Sequence, residues 1–333
     1  MRAPAGSRPA ARRRPYPEII VMVASASWGL FWIPLRAFEQ HGLGPAWATL
    51  AQFPTPLAIV TPFALVRVLR HRPTGWLQYR SGLLIGGAVA LYLESLLLTD
   101  VARALILFYA MPAWGTLLEV VVMKRGFTRW RAISLLLSLG GMLVILSAGH
   151  GFSLAMNLGD LLALLSGVMF AVGALLVRQA PGTSVFEQLV GFFLYGSLVA
   201  LSLSLLPLAA LGRSPSFDQL IALAPWLVLV AAGFLIPTMW GVYRGSRNVD
   251  PGRLGILLQI EAVAGIASAA LLAGEPFGAT QAVGAVLVIG AGVVEVAGSR
   301  RAAPEEPSSC RCLTCERSDR ERAVPIAADG ADC

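Results

Sequence analysis

Hydrophobic residues along this chain come in long unbroken runs. Between Glu18 and Gly298 these runs follow one another with short polar joints. Each is close to the ~20 apolar residues that a helix needs to cross a bilayer. Ten spans are expected, at residues 18–36, 46–68, 79–98, 102–123, 130–148, 158–178, 185–208, 219–242, 253–273 and 279–298. The runs lack the two-residue alternation of barrel strands, so helices are expected. Pro34, Pro54, Pro56, Pro62, Pro112, Pro207 and Pro237 fall inside or at the ends of spans. Membrane helices tolerate such breaks where neighbours or a cavity satisfy the freed carbonyls.

Composition agrees with lipid as the solvent. The 333 residues are 56% hydrophobic and 14% charged, with a mean hydropathy of +0.70. A soluble protein carries about 25% charged residues. The net charge of +7 does not point to nucleic acid, because the arginines sit between apolar spans and not on one solvated face. Their distribution sets an orientation instead. One side receives Arg2, Arg8, Arg12, Arg13 and Arg14, then Arg67, Arg70, Arg72 and Arg80. It also receives Lys124, Arg125, Arg129 and Arg131, then Arg178, then Arg244, Arg247 and Arg253, then Arg300 and Arg301. The alternate joints hold only Arg36, Arg103 and Arg213. Both termini are therefore expected in the cytoplasm.

The ends of the chain add little chemistry. Ala24-Ser25-Ala26 resembles a signal-peptidase site, but only Ile19 to Val23 would form the apolar region before it. That is too short for a signal peptide, and the run is read as a retained first span. Cys310, Cys312, Cys315 and Cys333 all lie in a Pro-, Ser-, Glu- and Arg-rich tail, expected to be disordered. They are read as reduced thiols, with a metal site in Cys-Arg-Cys-Leu-Thr-Cys as the alternative.

The chain also repeats itself. Asp100–Phe127 matches Asp250–Phe277 at an offset of 150, through Asp100 and Asp250, Arg103 and Arg253, Ile106 and Ile256, Leu107 and Leu257, Gly115 and Gly265, and Phe127 and Phe277. Trp28–Arg36 lines up with Phe170–Arg178 at an offset of 142. Five spans per copy is an odd number, so the second copy enters the membrane inverted. Accordingly the joint Lys124-Arg125-Gly126-Phe127 is expected in the cytoplasm and its twin, Gly274-Glu275-Pro276-Phe277, outside. The fold class expected is an all-α integral membrane protein of ten transmembrane helices in two inverted five-helix repeats. Its segments are a basic N-terminal stretch at 1–17, repeats at 18–148 and 149–298, and a cytoplasmic tail at 299–333. Inverted repeats are a signature of secondary transporters, whose substrate sites lie near the midplane between the repeats.

These residues carry a family likeness. Trp28-Gly29, Tyr109-Ala110-Met111-Pro112, Asn157-Leu158-Gly159-Asp160, Gly274-Glu275-Pro276, and Gly284 with Gly290 and Gly292 occur in an order and spacing that resemble the EamA-type ten-helix branch of the drug/metabolite transporter superfamily. The resemblance covers roughly residues 18–298. The chain departs from the family at Lys124-Arg125, where a Gly-Glu joint is usual, and at Ala262, where many members have the proline seen at Pro112. The run Gln259-Ile260-Glu261-Ala262 is similar to a Glu-Pro segment of amino-acid exporters of the superfamily. The resemblance implies a polytopic inner-membrane carrier of small metabolites, often an exporter, without a bound cofactor.

Candidate site residues follow from the cost of charge in lipid, at least ~2.5–3.5 kcal/mol at a helix centre. The intramembrane acids are Glu94, Glu119, Glu261 and Glu295. Glu261 lies eight residues beyond Arg253, about 12 Å along a helix and so near the midplane. Gly265 and Ser268 share its face, and small residues let a helix or a substrate approach. A carboxyl there that takes up and releases a proton suits a proton-coupled carrier. Glu119 lines an inner vestibule or pairs with Lys124 or Arg125. Glu94 sits toward the outer end of the third span, and Glu295 pairs with Arg300 or Arg301. Trp28 and Trp114 lie deep enough to stack on a substrate, and Gln52 is a polar group in an apolar run. Gly82 with Gly86, and Gly241 with Gly245, are read as helix-packing pairs. No P-loop, dinucleotide fingerprint or zinc-protease spacing occurs, and His41, His71 and His150 all lie in joints, so no enzyme, cofactor or metal is expected. The partners expected are a small-molecule substrate, the lipid bilayer and a proton as candidate coupling ion. The leading reading is a secondary transporter, with a channel or a membrane-embedded enzyme, sensor or scaffold as alternatives.

Overall fold

In the computed structural model, residues 16–70, 80–99, 101–124, 126–147, 156–179, 182–206, 214–274 and 278–301 are described. The N-terminal arginines, the Glu275-Pro276-Phe277 exit and the cysteine-bearing tail lie outside them. The described residues are helical, without strands: α1 (Tyr16–Gly29), α2 (Trp32–Gln40), α3 (Pro45–Ala51), α4 (Pro54–Arg70), α5 (Arg80–Leu98), α6 (Val101–Phe108), α7 (Met111–Val121), α8 (Arg129–Ser147), α9 (Leu158–Gln179), α10 (Val185–Ser204), α11 (Phe217–Val230), α12 (Ile236–Ser246), α13 (Pro251–Leu258), α14 (Ile260–Ala273) and α15 (Ala279–Arg301). A π-helical turn, Ala231–Leu235, joins α11 to α12.

Several of these pieces are halves of one span. Each of the pairs α1–α2, α3–α4, α6–α7 and α13–α14 continues a span across a short break, and α11–α12 continues one through the π turn. Among the described residues, nine spans are long and apolar enough to cross a membrane. The remaining predicted span, 130–148, does form a helix, α8, but is not one of the nine. Arg129, Arg131, Ser134 and Ser138 load its first half with polar groups. Pro54 and Pro112 each stand just after a break, whereas Pro62 sits inside an intact α4. The break before α14 has no proline, so something else must hold it.

Local signals fix other helix ends. Ser184 and Glu187 form a reciprocal capping box at α10, and Ser216 and Gln219 do the same at α11. Gly274 closes α14 in the left-handed region at φ 68°, where a side chain is disfavoured.

The repeats interlock. α5 packs against α9 and α10, and α1 packs against α12, α13 and α14, so each copy's helices are buried against the other's. Residues up to Gly298 form one compact unit; Ser299–Cys333 form a second, described only to Arg301. Glycines permit the closest crossings. A methyl group at Gly82 would stand 2.8 Å from the Gly191 Cα, and one at Gly241 2.9 Å from the Ala24 Cβ. Both predicted glycine pairs therefore pack helices. The interior is unusually polar: Ser25, Ser134, Ser138, Asp160, Gln188 and Gln259 are buried, while Leu69, Leu136, Leu271 and Val286 point outward. That arrangement suits a protein whose surroundings are hydrocarbon.

Gly82→Leu should force α5 from α10 and lower the thermal midpoint in detergent, at an overpacking cost of about 1–3 kcal/mol or more. Gly290→Ala, where space is open, should leave the midpoint unchanged. Equal midpoints for both variants would contradict the packing described.

Candidate functional site

Two broken helices meet at the centre of the molecule. In the first, Pro112 has no N–H, and the Ala113 N–H turns to the Ala110 carbonyl at 2.9 Å. The Tyr109 carbonyl is thereby freed. In the second, the Ala262 N–H turns to the Gln259 carbonyl at 3.1 Å, which frees the carbonyl of Leu258. A buried carbonyl left without a donor costs about 1–3 kcal/mol. Both are supplied from elsewhere. The Gln259 amide donates to the Tyr109 carbonyl at 3.2 Å, across 150 residues of sequence. Tyr109 and Gln259 are thus the same position in the two repeats. Ser138 donates to the Gln259 Oε1 at 2.7 Å, so this fully buried amide is engaged at both ends. The Ser25 hydroxyl donates to the Leu258 carbonyl at 2.6 Å and accepts the Glu261 N–H at 3.1 Å. One serine of α1 therefore does the work of the missing proline's surroundings, and the break survives Ala262.

Glu261 is the first acid after this break. The Tyr109 and Tyr92 phenols are the neighbours of its carboxyl. Tyr92 stacks on Phe108 at 4.3 Å, and Phe108 meets Tyr109 edge-on at 5.3 Å, so both phenols are held by packing. Tyr109 is 1% exposed, whereas Glu261 is partly accessible. No Arg or Lys among the described residues is ion-paired with Glu261 or acts on it electrostatically. The face it shares with Gly265 and Ser268 turns to α1 and α2. A methyl at Gly265 would lie 3.2 Å from the Gly29 carbonyl, and the Trp32 Nε1 donates to the Ser268 hydroxyl at 2.9 Å. The small residues there admit a helix.

Charged clusters flank the crossing at both ends of the bundle. At one, Glu119 is hydrogen-bonded by Arg131 and accepts the Gly252 N–H at 2.6 Å, at the start of α13. Arg131 reaches on to Glu295 at 2.6 Å, Arg253 meets Glu295 at 2.9 Å, and Ser134 donates to its other oxygen at 2.8 Å. Arg253 also lies 3.9 Å from Glu18. At the other end Asp160, fully buried, accepts from Arg103 at 2.5 and 3.0 Å, from Thr99 at 2.8 Å and from the Asn157 N–H at 3.0 Å. Arg103 and Arg253 correspond at the 150 offset, and Asp160 and Glu18 at the 142 offset. The two pairs are repeat equivalents, and each joins one repeat to the other.

The symmetry is broken elsewhere. α7 packs tightly on α13: a methyl at Gly115 would stand 2.7 Å from the Gly252 nitrogen, and one at Gly255 2.9 Å from the Pro112 Cα. The repeat-related helices α6 and α14 make no comparable contact, and Gly265, the twin of Gly115, abuts Gly29 instead. The α7–α13 end of the crossing is thus the shut one.

The remaining predicted residues are dispersed. Glu119 pairs with Arg131 and the α13 N-terminus, at the shut end. Glu295 is buried there too, paired with Arg131 and Arg253. Glu94 lines a separate, small recess of about 30 Å³ with Thr49, Phe53, Leu97 and Ser204. Gln52 is buried at the α3–α4 break with both amide atoms unpartnered, and the buried Trp114 Nε1 is likewise unpartnered. Trp28 stacks on Phe31 at 5.6 Å. Sequence reasoning missed Ser25, Ser138 and Arg131; the first two carry the signal of serines in apolar spans. Among the described residues no cluster of three or more His, Cys, Asp or Glu side chains could hold a metal.

The sequence profile of the EamA-like transporter family matches twice, over residues 16–147 and 157–294. No curated protein matches the sequence. A crystal structure of a protein with 20% identity superposes with a TM-score of 0.68, over 87% of this chain and 100% of its own, which is a likeness of fold.

Ser25→Ala should leave the Leu258 carbonyl and the Glu261 N–H without partners and cost about 1–3 kcal/mol. Gln259→Leu, which strands the Tyr109 carbonyl and the Ser138 hydroxyl, should cost as much. Thermal unfolding in detergent measures both; midpoints equal to the parent's would mean that these bonds do not hold the breaks.

Proposed function

The chain belongs to the EamA-like transporter family, and on that premise we propose that it is a secondary active carrier which moves a small molecule by alternating access about the Tyr109–Gln259 crossing. The observation that carries this reading is the asymmetry of two homologous halves. α7 and α13 are closed on each other, while their repeat equivalents, α14 and α6, make no comparable contact. In inverted-repeat carriers the opposite conformation exchanges the roles of the halves around a fixed central site. The shut end carries Arg131 and Arg253, so the positive-inside rule makes it cytoplasmic and places both termini there. The membrane is then the plasma (inner) membrane, with α8 completing ten spans and the opposite end of the crossing facing outward.

Within this reading Glu261 is the coupling and binding group. It is partly accessible and lacks a basic partner among the described residues, which suits a proton or a substrate's cationic or amino group. Tyr92, Tyr109 and Trp28 supply the aromatic surface beside it. Export in exchange for an entering proton is the direction we propose. Glu119 is assigned to the cytoplasmic closure through Arg131 and Gly252. Glu94, Gln52 and Trp114, each away from ion pairs, are assigned to the wall of the path.

In proteoliposomes loaded with a substrate returned by an efflux screen, Glu261→Gln should insert normally and lose gradient-driven flux; parental flux would refute its role. Trans-stimulated counterflow is expected, and its absence would favour a channel. In a background with the four cysteines replaced by serine, Arg131→Met should raise labelling of Thr116→Cys by an impermeant maleimide from the cytoplasmic side. Unchanged labelling would remove the network from the closure.

A further inference from the structure

Away from the central crossing, the end of α4 and the start of α10 form an open groove of about 290 Å³. Its lining is Phe63, Val66, Arg67, Arg70 and Phe186. The polarity is graded along the helix. Arg70 is seven residues, about 10 Å, beyond Phe63. That step spans the change from hydrocarbon to the headgroup layer, the outer 5–8 Å or so on each side of the core. Phe63 is 66% exposed and Val66 47%, so the apolar wall faces the bilayer. The Arg67 guanidinium lies 6.0 Å over the Phe186 ring and 3.4 Å from Glu187. Glu187 also accepts the Ser184 N–H in the α10 cap at 3.1 Å. The carboxylate beside Arg67 is thus already shared with a backbone donor, and Arg70 is ion-paired with no acid among the described residues.

We propose that this groove binds an anionic phospholipid of the cytoplasmic leaflet. Its phosphate sits between Arg67 and Arg70, and an acyl chain lies along Phe63 and Phe186. The leaflet rests on the orientation given above; the binding itself does not. Basic pockets at the membrane face are suited to such headgroups, and Arg binds phosphate through a planar fork. Because α4 comes from the first repeat and α10 from the second, one lipid bridges both.

Native mass spectrometry of the full chain in detergent tests this with phosphatidylglycerol and phosphatidylcholine of equal acyl chains. Phosphatidylglycerol should be retained preferentially, and each arginine removed should weaken retention about five-fold. Arg67→Gln with Arg70→Gln should abolish the preference at an unchanged lipid-free thermal midpoint. Arg67→Lys with Arg70→Lys should keep much of it, and Arg244→Gln, an exposed arginine elsewhere, should keep all of it. Equal retention of the two lipids, or a double glutamine variant that binds like the parent, would overturn the proposal. Full competition by soluble glycerol phosphate would overturn it in favour of a free-phosphate site. None of these readouts depends on transport, so a failed flux assay and a failed lipid assay remain distinct results.

Discussion

A carbonyl inside a bilayer has no water to turn to. That constraint shapes the centre of this protein more than any other. Two spans break where a substrate path would run, and each break frees a carbonyl that needs a donor. The donors come from across the molecule: Gln259 for Tyr109, and Ser25 for Leu258. The crossing is therefore held by polar bonds that require the second repeat to face the first. Ser138 completes the set and ties α8 to the same point. The glycine approaches of Gly115, Gly252 and Gly255 bring the helices near enough for those bonds to form.

Much of the fold was legible because lipid imposes a simple rule. Apolar runs of one length marked the spans, arginines marked the joints, and the 150 offset marked the repeat. α8 departs from that rule, since Arg131 serves Glu119 and Glu295 as much as the membrane boundary. The site was legible only in part. Glu261 stood out as an acid in an apolar run, but the use of its small-residue face did not. Spacing places Gly265 and Ser268 beside Glu261; only the tertiary structure shows that Gly29 and Trp32 occupy that face. Likewise Glu119 and Glu295 were visible as charges, but their common partner, Arg131, lies in another helix. Pairings across helices are set by packing, which a single sequence does not display.

Charge is distributed with an economy that follows from its cost in lipid. Arg103, Arg131 and Arg253 each meet a carboxylate, and two of those pairs are repeat equivalents. Such pairs add little net stability when well made and are costly when one partner is lost. Their value lies in specifying which helix ends meet. Against that neutralised background Glu261, with phenols for neighbours, and Glu94 are the intramembrane acids left without an ion pair among the described residues.

The Gln259–Tyr109 bond joins a side chain of one repeat to the backbone of the other. The two copies of that position therefore do different work. Position 259 must keep an amide of the right length. Position 109 contributes only its carbonyl to the bond, so its side chain takes no part in that fastening. A duplication that began with two identical positions has left one as the fastener and the other as the adjustable wall beside Glu261. New binding preferences can arise there while the architecture stays fixed.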